Sequence, residues 1–266
     1  DRVRQYISEC VLSATVTKLE GGPERDVIRR FLEHSEQRFR LSYILGNPTL
    51  LERSVNDDIE DEDDFEGSGP DPAEHQEISE KEREELLNAL KTYFHSIDQL
   101  QEKARSAMNR MAGELGIKIG EATKEDRDVL QELVEDHLAN MDEFHQLVDA
   151  ILDDIESRFN FMSDGEIYRG KDGWPIKWIH QDPDRSAFIK VVNRFSSNYA
   201  PNFGRLLTPL VEGIRVAGPF RPEWNNNALP KIVIMDGQGI GHTADSTSSL
   251  STSITSRFRM ADAIVL

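Results

Sequence analysis

Apolar positions recur along much of this chain at the three- and four-residue spacing of a helix buried on one side. Val3, Tyr6, Ile7, Cys10, Val11 and Ala14 share one such face, and Gly21, Gly22 and Pro23 end the helix they define. Val27, Ile28, Phe31 and Leu32 line a second helix. "RFRLSYILG" alternates Phe39, Leu41, Tyr43 and Leu45, which fits either a strand or a short buried helix. The longest pattern starts after "SEKE" (Ser79 to Glu82), a capping box in which side chain and backbone at the helix start satisfy each other's hydrogen bonds. A heptad-like stripe follows: Leu86, Leu90, Tyr93, Ile97, Leu100, Ala104, Met108, Met111 and Leu115. Glycines in "GELGIKIGEA" break it. A second box, "TKED" (Thr123 to Asp126), opens another stripe: Leu130, Leu133, His137, Met141, Phe144, Val148, Ile151, Ile155 and Phe159. Two stripes of similar length joined by a short loop predict an antiparallel helical hairpin.

After Met162 the texture changes. "SDGEIYRGKDGWPIKWIHQDPD" predicts irregular structure or a β-hairpin, and "RSAFIKVVNRFSSNYA" a short helix with Phe188, Ile189, Val192 and Phe195 on one face. "GRLLTPLVEGIRVAGPF" reads as a loop entering a strand through Val211, Ile214 and Val216. "KIVIM" reads as a buried strand, "DGQGIGHTADSTSSLSTS" as a polar loop, "ITSRFRMA" as a helix and "DAIVL" as a further strand. That order predicts the middle of an α/β sheet. Four segments result: a mostly helical stretch at 1–55, an acidic disordered linker at 56–77, the helical hairpin at 78–162, and a partial nucleotide-hydrolase core at 163–266. The linker carries eight acids from Asp57 to Glu66, followed by Gly, Ser and Pro, a composition that repels itself. A calcium loop is not expected there, because the glycine at its sixth position is missing.

Composition narrows the chemistry. The 266 residues include 49 acids against 31 Lys and Arg, for a net charge of −18. Such a surface repels phosphate backbones and anionic lipid, so neither nucleic acid nor membrane is an expected partner. No apolar run reaches the length of a transmembrane helix. Apolar residues are 38% and charged residues 30%, which predicts long solvated helices beside a small core. The one cysteine, Cys10, cannot form an internal disulfide, and a cytoplasmic setting is expected. The start at "DRVRQ" and the end at "ADAIVL" read as cuts from a longer chain. Asp142 and His145, three apart and one to two turns after Glu135, Asp136 and His137, have part of a di-iron spacing. Only one such pair exists, so these acids are expected on the wet face.

The chemistry-bearing stretch is "KIVIMDGQGIGHT", Lys231 to Thr243. An apolar strand ending in an acid is what a Walker B element requires: the strand anchors, and Asp236 holds Mg²⁺. Gly239, three residues on, lets a backbone amide approach a γ-phosphate, with Gly237 beside it. "ITSRFRMADAIVL" after "DGQGIGH" resembles the helix and strand following switch II in dynamin-like and related large P-loop GTPases, a class that includes the large translation-factor GTPases. "LLTPLVEGIRV" is similar to their switch I and its neighbouring strand. The resemblance covers roughly residues 203–266. It implies part of a P-loop sheet with a large helical insertion, a GTP or ATP substrate with Mg²⁺, and a Thr208 that ligates the metal. Ile240 stands where small GTPases place the water-orienting glutamine, which leaves Gln238 and His242 to position water or to bond within the loop. The Ser/Thr run 246–255 suits a flexible switch loop. The phosphate loop G-x-x-x-x-G-K-S/T and the guanine-reading N/T-K-x-D are absent from the 266 residues, so this chain alone is expected not to hydrolyse nucleotide. "IVIMDGQGIGH" also has the outline of a subtilisin-type Asp strand, but Ser or Thr does not follow the Asp and the partner motifs are missing. The contrasting expectation is an interaction scaffold, in which the hairpin recruits a partner or self-associates.

Overall fold

The computed structural model describes residues 2–35, 39–52, 78–160 and 165–218. Residues up to Ile214 form one compact unit and Arg215–Leu266 a second, of which only 215–218 are described. The strands expected at "KIVIM" and "DAIVL" and the acidic linker lie outside the described residues.

The first unit is mainly helical. Helix α1 (Arg2–Leu19) turns at Gly21 and Gly22 into α2 (Glu24–Leu32), and two short helices follow, α3 (Leu41–Leu45) and α4 (Pro48–Glu52). The ambiguous "LSYIL" segment is thus helix α3, with Leu41, Ile44 and Leu45 buried. Helix α5 (Glu80–Glu114) is 35 residues long and begins in the predicted capping box, Ser79 and Glu82 bonding reciprocally. Its end is a Schellman turn: Gly116 takes φ +69°, Ile117 N–H donates to Ala112 O at 2.8 Å, and Gly116 N–H to Gly113 O at 3.2 Å. Thr123 and Asp126 cap α6 (Lys124–Ala139) in the same reciprocal way.

The second arm of the hairpin is two helices, not one. Asn140 ends α6, its Nδ2 donating to Asp136 O at 2.7 Å, and α7 (Asp142–Asn160) starts afresh with Asp142 and Glu143 in its first turn. The arm still runs antiparallel to α5: Lys103 pairs with Glu143, and Tyr93 with Asp154 ten residues earlier on α5 and eleven later on α7.

A single core joins these helices. Leu86, Leu90, Tyr93, Ile97, Leu100 and Ala104 of α5 are buried as their stripe predicts, though beyond them Ala107 and Ala112 replace Met108 and Leu115. On α6 the register differs from the expected one. Leu130, Val134 and Leu138 face inward, Val134 at 1% and Leu138 at 0% exposure, while Leu133 stands 39% exposed. The i, i+4, i+8 row faces inward because the partner surface is α5 together with α1, a wider seat than a two-helix seam offers. α1 fills that seat. Ile7, Cys10, Val11, Ala14 and Thr15 are all buried, and Lys18 pairs with Asp98 on α5 while Arg4 pairs with Asp149 on α7.

The expected α/β architecture with a P-loop sheet is incorrect for the described residues. Their only sheet is the antiparallel pair β1 (Glu166–Arg169) and β2 (Pro175–Ile179), the hairpin that the glycine- and tryptophan-bearing segment allowed. The strand expected through Val211, Ile214 and Val216 does not form; Ile214 and Val216 are exposed, and among the described residues no neighbouring strand offers them a ladder. β1 and β2 instead pack on α8 (Arg185–Ser196): the Trp178 and Phe195 rings lie 4.5 Å apart, and His180 stacks between Trp178 and Phe188.

The register on α6 yields a test. Leu138→Ala is expected to cost about 2–5 kcal/mol in urea unfolding, the range for a truncated core leucine. Leu133→Ala is expected to stay within about 0.5 kcal/mol of the parent. The reverse order would restore the simple heptad seam.

Candidate functional site

Of the residues singled out for nucleotide chemistry, Asp236, Gly237, Gln238, Gly239 and His242 lie outside the described residues. Thr208 is described. It begins a short 3-10 turn (Thr208–Leu210) after α8, and its hydroxyl donates to Ser197 O, the carbonyl at the α8 C-terminus, at 2.7 Å. The hydroxyl therefore closes a helix end here. Glu135, Asp136, His137, Asp142 and His145 fall around the α6–α7 break, and among the described residues no three His, Cys, Asp or Glu side chains are placed to hold a metal ion. Cys10 is sealed in the α1 core; burial, then the Glu9 charge, pushes its thiol up to about 12, so it stays protonated and unreactive.

A polar junction ties four parts of the unit together at residues 203–207. Arg158 on α7 grips Asp154 through two bonds of 3.2 Å and donates to Gly204 O at 2.5 Å. Asp154 in turn accepts from Tyr93 OH on α5 at 3.0 Å. Burial, reinforced by that carboxylate, pushes the Tyr93 phenol above its usual value. Gly204 and Leu206 N–H groups both donate to Tyr43 O in α3, at 2.9 and 3.0 Å. Arg205 pairs with Glu82, the same carboxylate that completes the α5 capping box, and its own carbonyl accepts from Arg194 on α8. Gly204 has φ +106°, and a Cβ there would sit 2.5 Å from Leu86 Cδ1. The junction is saturated with internal bonds, which suits holding rather than chemistry.

A surface feature open to another molecule lies on α6. Its Val129 (47% exposed) and Leu133 stand four residues apart on the outward side. With Leu12 of α1, Ala139, Glu132, Glu135 and Asp136 they line a groove of about 600 Å³. α6 carries six acids, Glu125, Asp126, Asp128, Glu132, Glu135 and Asp136, against Lys124 and Arg127. Glu135 accepts from Gln131 at 2.8 Å, and among the described residues no cation pairs with Glu132 or Asp136. Sequence reading missed this face because it placed Leu133 in the seam. The signal was there in the second row, Leu130, Val134 and Leu138, which leaves Val129 and Leu133 outside once that row is taken as the core. Comparison with known protein families, curated proteins and solved structures gives no match.

Glu82 supplies a pH test. Burial raises its pKa, but the Ser79 hydroxyl and amide and the Arg205 guanidinium outweigh burial and hold the carboxyl below its usual 4.5. A depressed folded-state pKa adds stability above the unfolded value and loses it as pH falls through the folded one. Unfolding midpoints are therefore expected to decline below about pH 4.5, and Glu82→Gln to flatten that acid limb while lowering stability at pH 7. An unchanged acid limb in the variant would remove Glu82 from the junction's account.

Proposed function

We propose that this chain acts as a protein-interaction module, its helical unit presenting α6 to a partner. The observation that carries this reading is the exposed Val129–Leu133 pair on a helix whose other face is fully committed to the core. Two apolar side chains held in register on a rigid helix suit recognition of another protein. The hairpin's main seam is covered by α1 of the same chain, so the presented surface is this second face and not the seam. No helix among the described residues is long and apolar enough to cross a membrane. A cytoplasmic setting accords with the lone, buried Cys10.

A second reading rests on the Asp236–Gly239 spacing: a Mg²⁺-dependent GTPase or ATPase whose conformational switch moves the helical unit. In it Asp236 and Thr208 hold Mg²⁺, Gly237 and Gly239 meet the phosphates, and Gln238 or His242 orients water. Thr208 would then have to release its bond to Ser197.

Two measurements separate these readings. A photo-crosslinking residue at position 133 is expected to trap one recurrent partner in cells, and one at position 84 on α5 to trap none. Val129→Asp/Leu133→Asp should abolish that partner's binding with the urea midpoint unchanged; retention of binding would end the α6 reading. GTP and ATP turnover with Mg²⁺, measured for the parent and Asp236→Ala, addresses the second. Turnover abolished by the substitution supports the switch, and absence of both turnover and nucleotide binding removes it.

A further inference from the structure

Resting on the interaction-module reading, we infer that the α1–α6 groove receives a basic amphipathic helix from a partner protein. Four apolar residues, Leu12, Val129, Leu133 and Ala139, and three acids, Glu132, Glu135 and Asp136, line the groove together. Val129 and Leu133 stand four residues apart on α6, a spacing that the anchors of a docking helix can match. The lining on α6 runs from Val129 to Ala139, about 16 Å of helix and room for about three turns of such a partner.

Charge selects the occupant. Glu132 and Asp136 sit one turn apart on α6, with no cation of the described chain across from them. An approaching Lys or Arg supplies the missing partner to these acids while Leu or Met side chains cover Val129 and Leu133. A second copy of this chain is disfavoured, because it brings the same net charge of −18 to an acidic groove. Anionic lipid is repelled for the same reason. Ion pairs with these acids speed encounter and fix register, and the apolar anchors hold the complex.

The test uses synthetic helices of about 16 residues, matched to α6 in length. One carries Leu at i, i+3, i+4 and i+7 with Lys on its flanks; a second replaces Lys with Gln, a third replaces Lys with Glu, and a fourth keeps Lys but scrambles the Leu positions. Binding to the whole chain is read by fluorescence anisotropy at two salt concentrations. The Leu–Lys helix is expected to bind, more weakly at high salt. Leu133→Asp, or Glu132→Lys with Asp136→Lys, is expected to weaken it about tenfold or more. Glu84→Lys with Glu85→Lys on α5 makes the same change in net charge away from the groove and is expected to leave binding within about twofold. Equal losses from the α5 and α6 charge pairs would reduce the effect to bulk attraction and overturn the proposal. So would equal binding of the scrambled helix. If the Gln or Glu helix binds as tightly and Leu133→Asp still abolishes it, the basic partner is wrong and the interaction reading survives. If no helix of any charge binds, the helical occupant is wrong, while the interaction reading is decided separately by the crosslink at position 133. Concentration-dependent dimerisation lost in Leu133→Asp would make the occupant a second copy and likewise overturn it.

Discussion

Everything in the helical unit depends on burying α1. Ile7, Cys10, Val11, Ala14 and Thr15 leave this helix almost no solvent face along its middle, and Thr15 returns its hydroxyl to Val11 O at 2.8 Å rather than carry an unsatisfied group into the core. A helix so apolar needs walls on several sides. α2, α5, α6 and α7 provide them, and ion pairs from Arg4 and Lys18 fix how α1 lies along α7 and α5. The hairpin needs α1 equally: without it the α5 stripe and the inward rows of α6 and α7 would keep only one another as walls. The two parts, more than sixty residues apart in sequence, are halves of one core.

The junction at residues 203–207 plays the complementary role at the other end of α5. A loop that crosses several helices carries backbone groups that must be satisfied away from regular structure. Here Tyr43, Arg158, Arg194 and Glu82 satisfy them, and Gly204 supplies a backbone angle and a closeness to Leu86 that a side chain would obstruct. Because Glu82 serves both the α5 cap and Arg205, the start of the longest helix and the end of the unit are locked by one carboxylate. The cost of this closure is that Thr208, three residues on, is bonded to α8. Against so bonded a frame, the groove on α6 stands out: among the described residues no cation pairs with its Glu132 or Asp136, and exposed Val129 and Leu133 lie beside them.

Local signals were legible where the physics is local. Both capping boxes, the Gly-rich stops, the β-hairpin and α8 follow from side-chain and backbone chemistry within a few residues, and they stand where the chain's pattern puts them. The break at Asn140 was not legible, since Met141 and Phe144 continue an acceptable helical period across it. The strand at 211–216 failed for the opposite reason: alternation of apolar residues is a condition for a strand, and a ladder partner is the other, which no local pattern supplies.

Sequence alone determined where the main helical stripes run, how α5 and α6 start, and that the chain is strongly acidic, because propensity, capping and charge are properties of neighbours along the chain. The tertiary structure decided which of two adjacent apolar rows on α6 is core. Leu130–Leu133–His137 and Leu130–Val134–Leu138 are both valid helical faces, and only the arrival of α1 beside α5 favours the second. That choice also places Val129 and Leu133 in solvent, so the candidate docking face follows from packing between distant segments, which selects one of the two rows that the sequence offers.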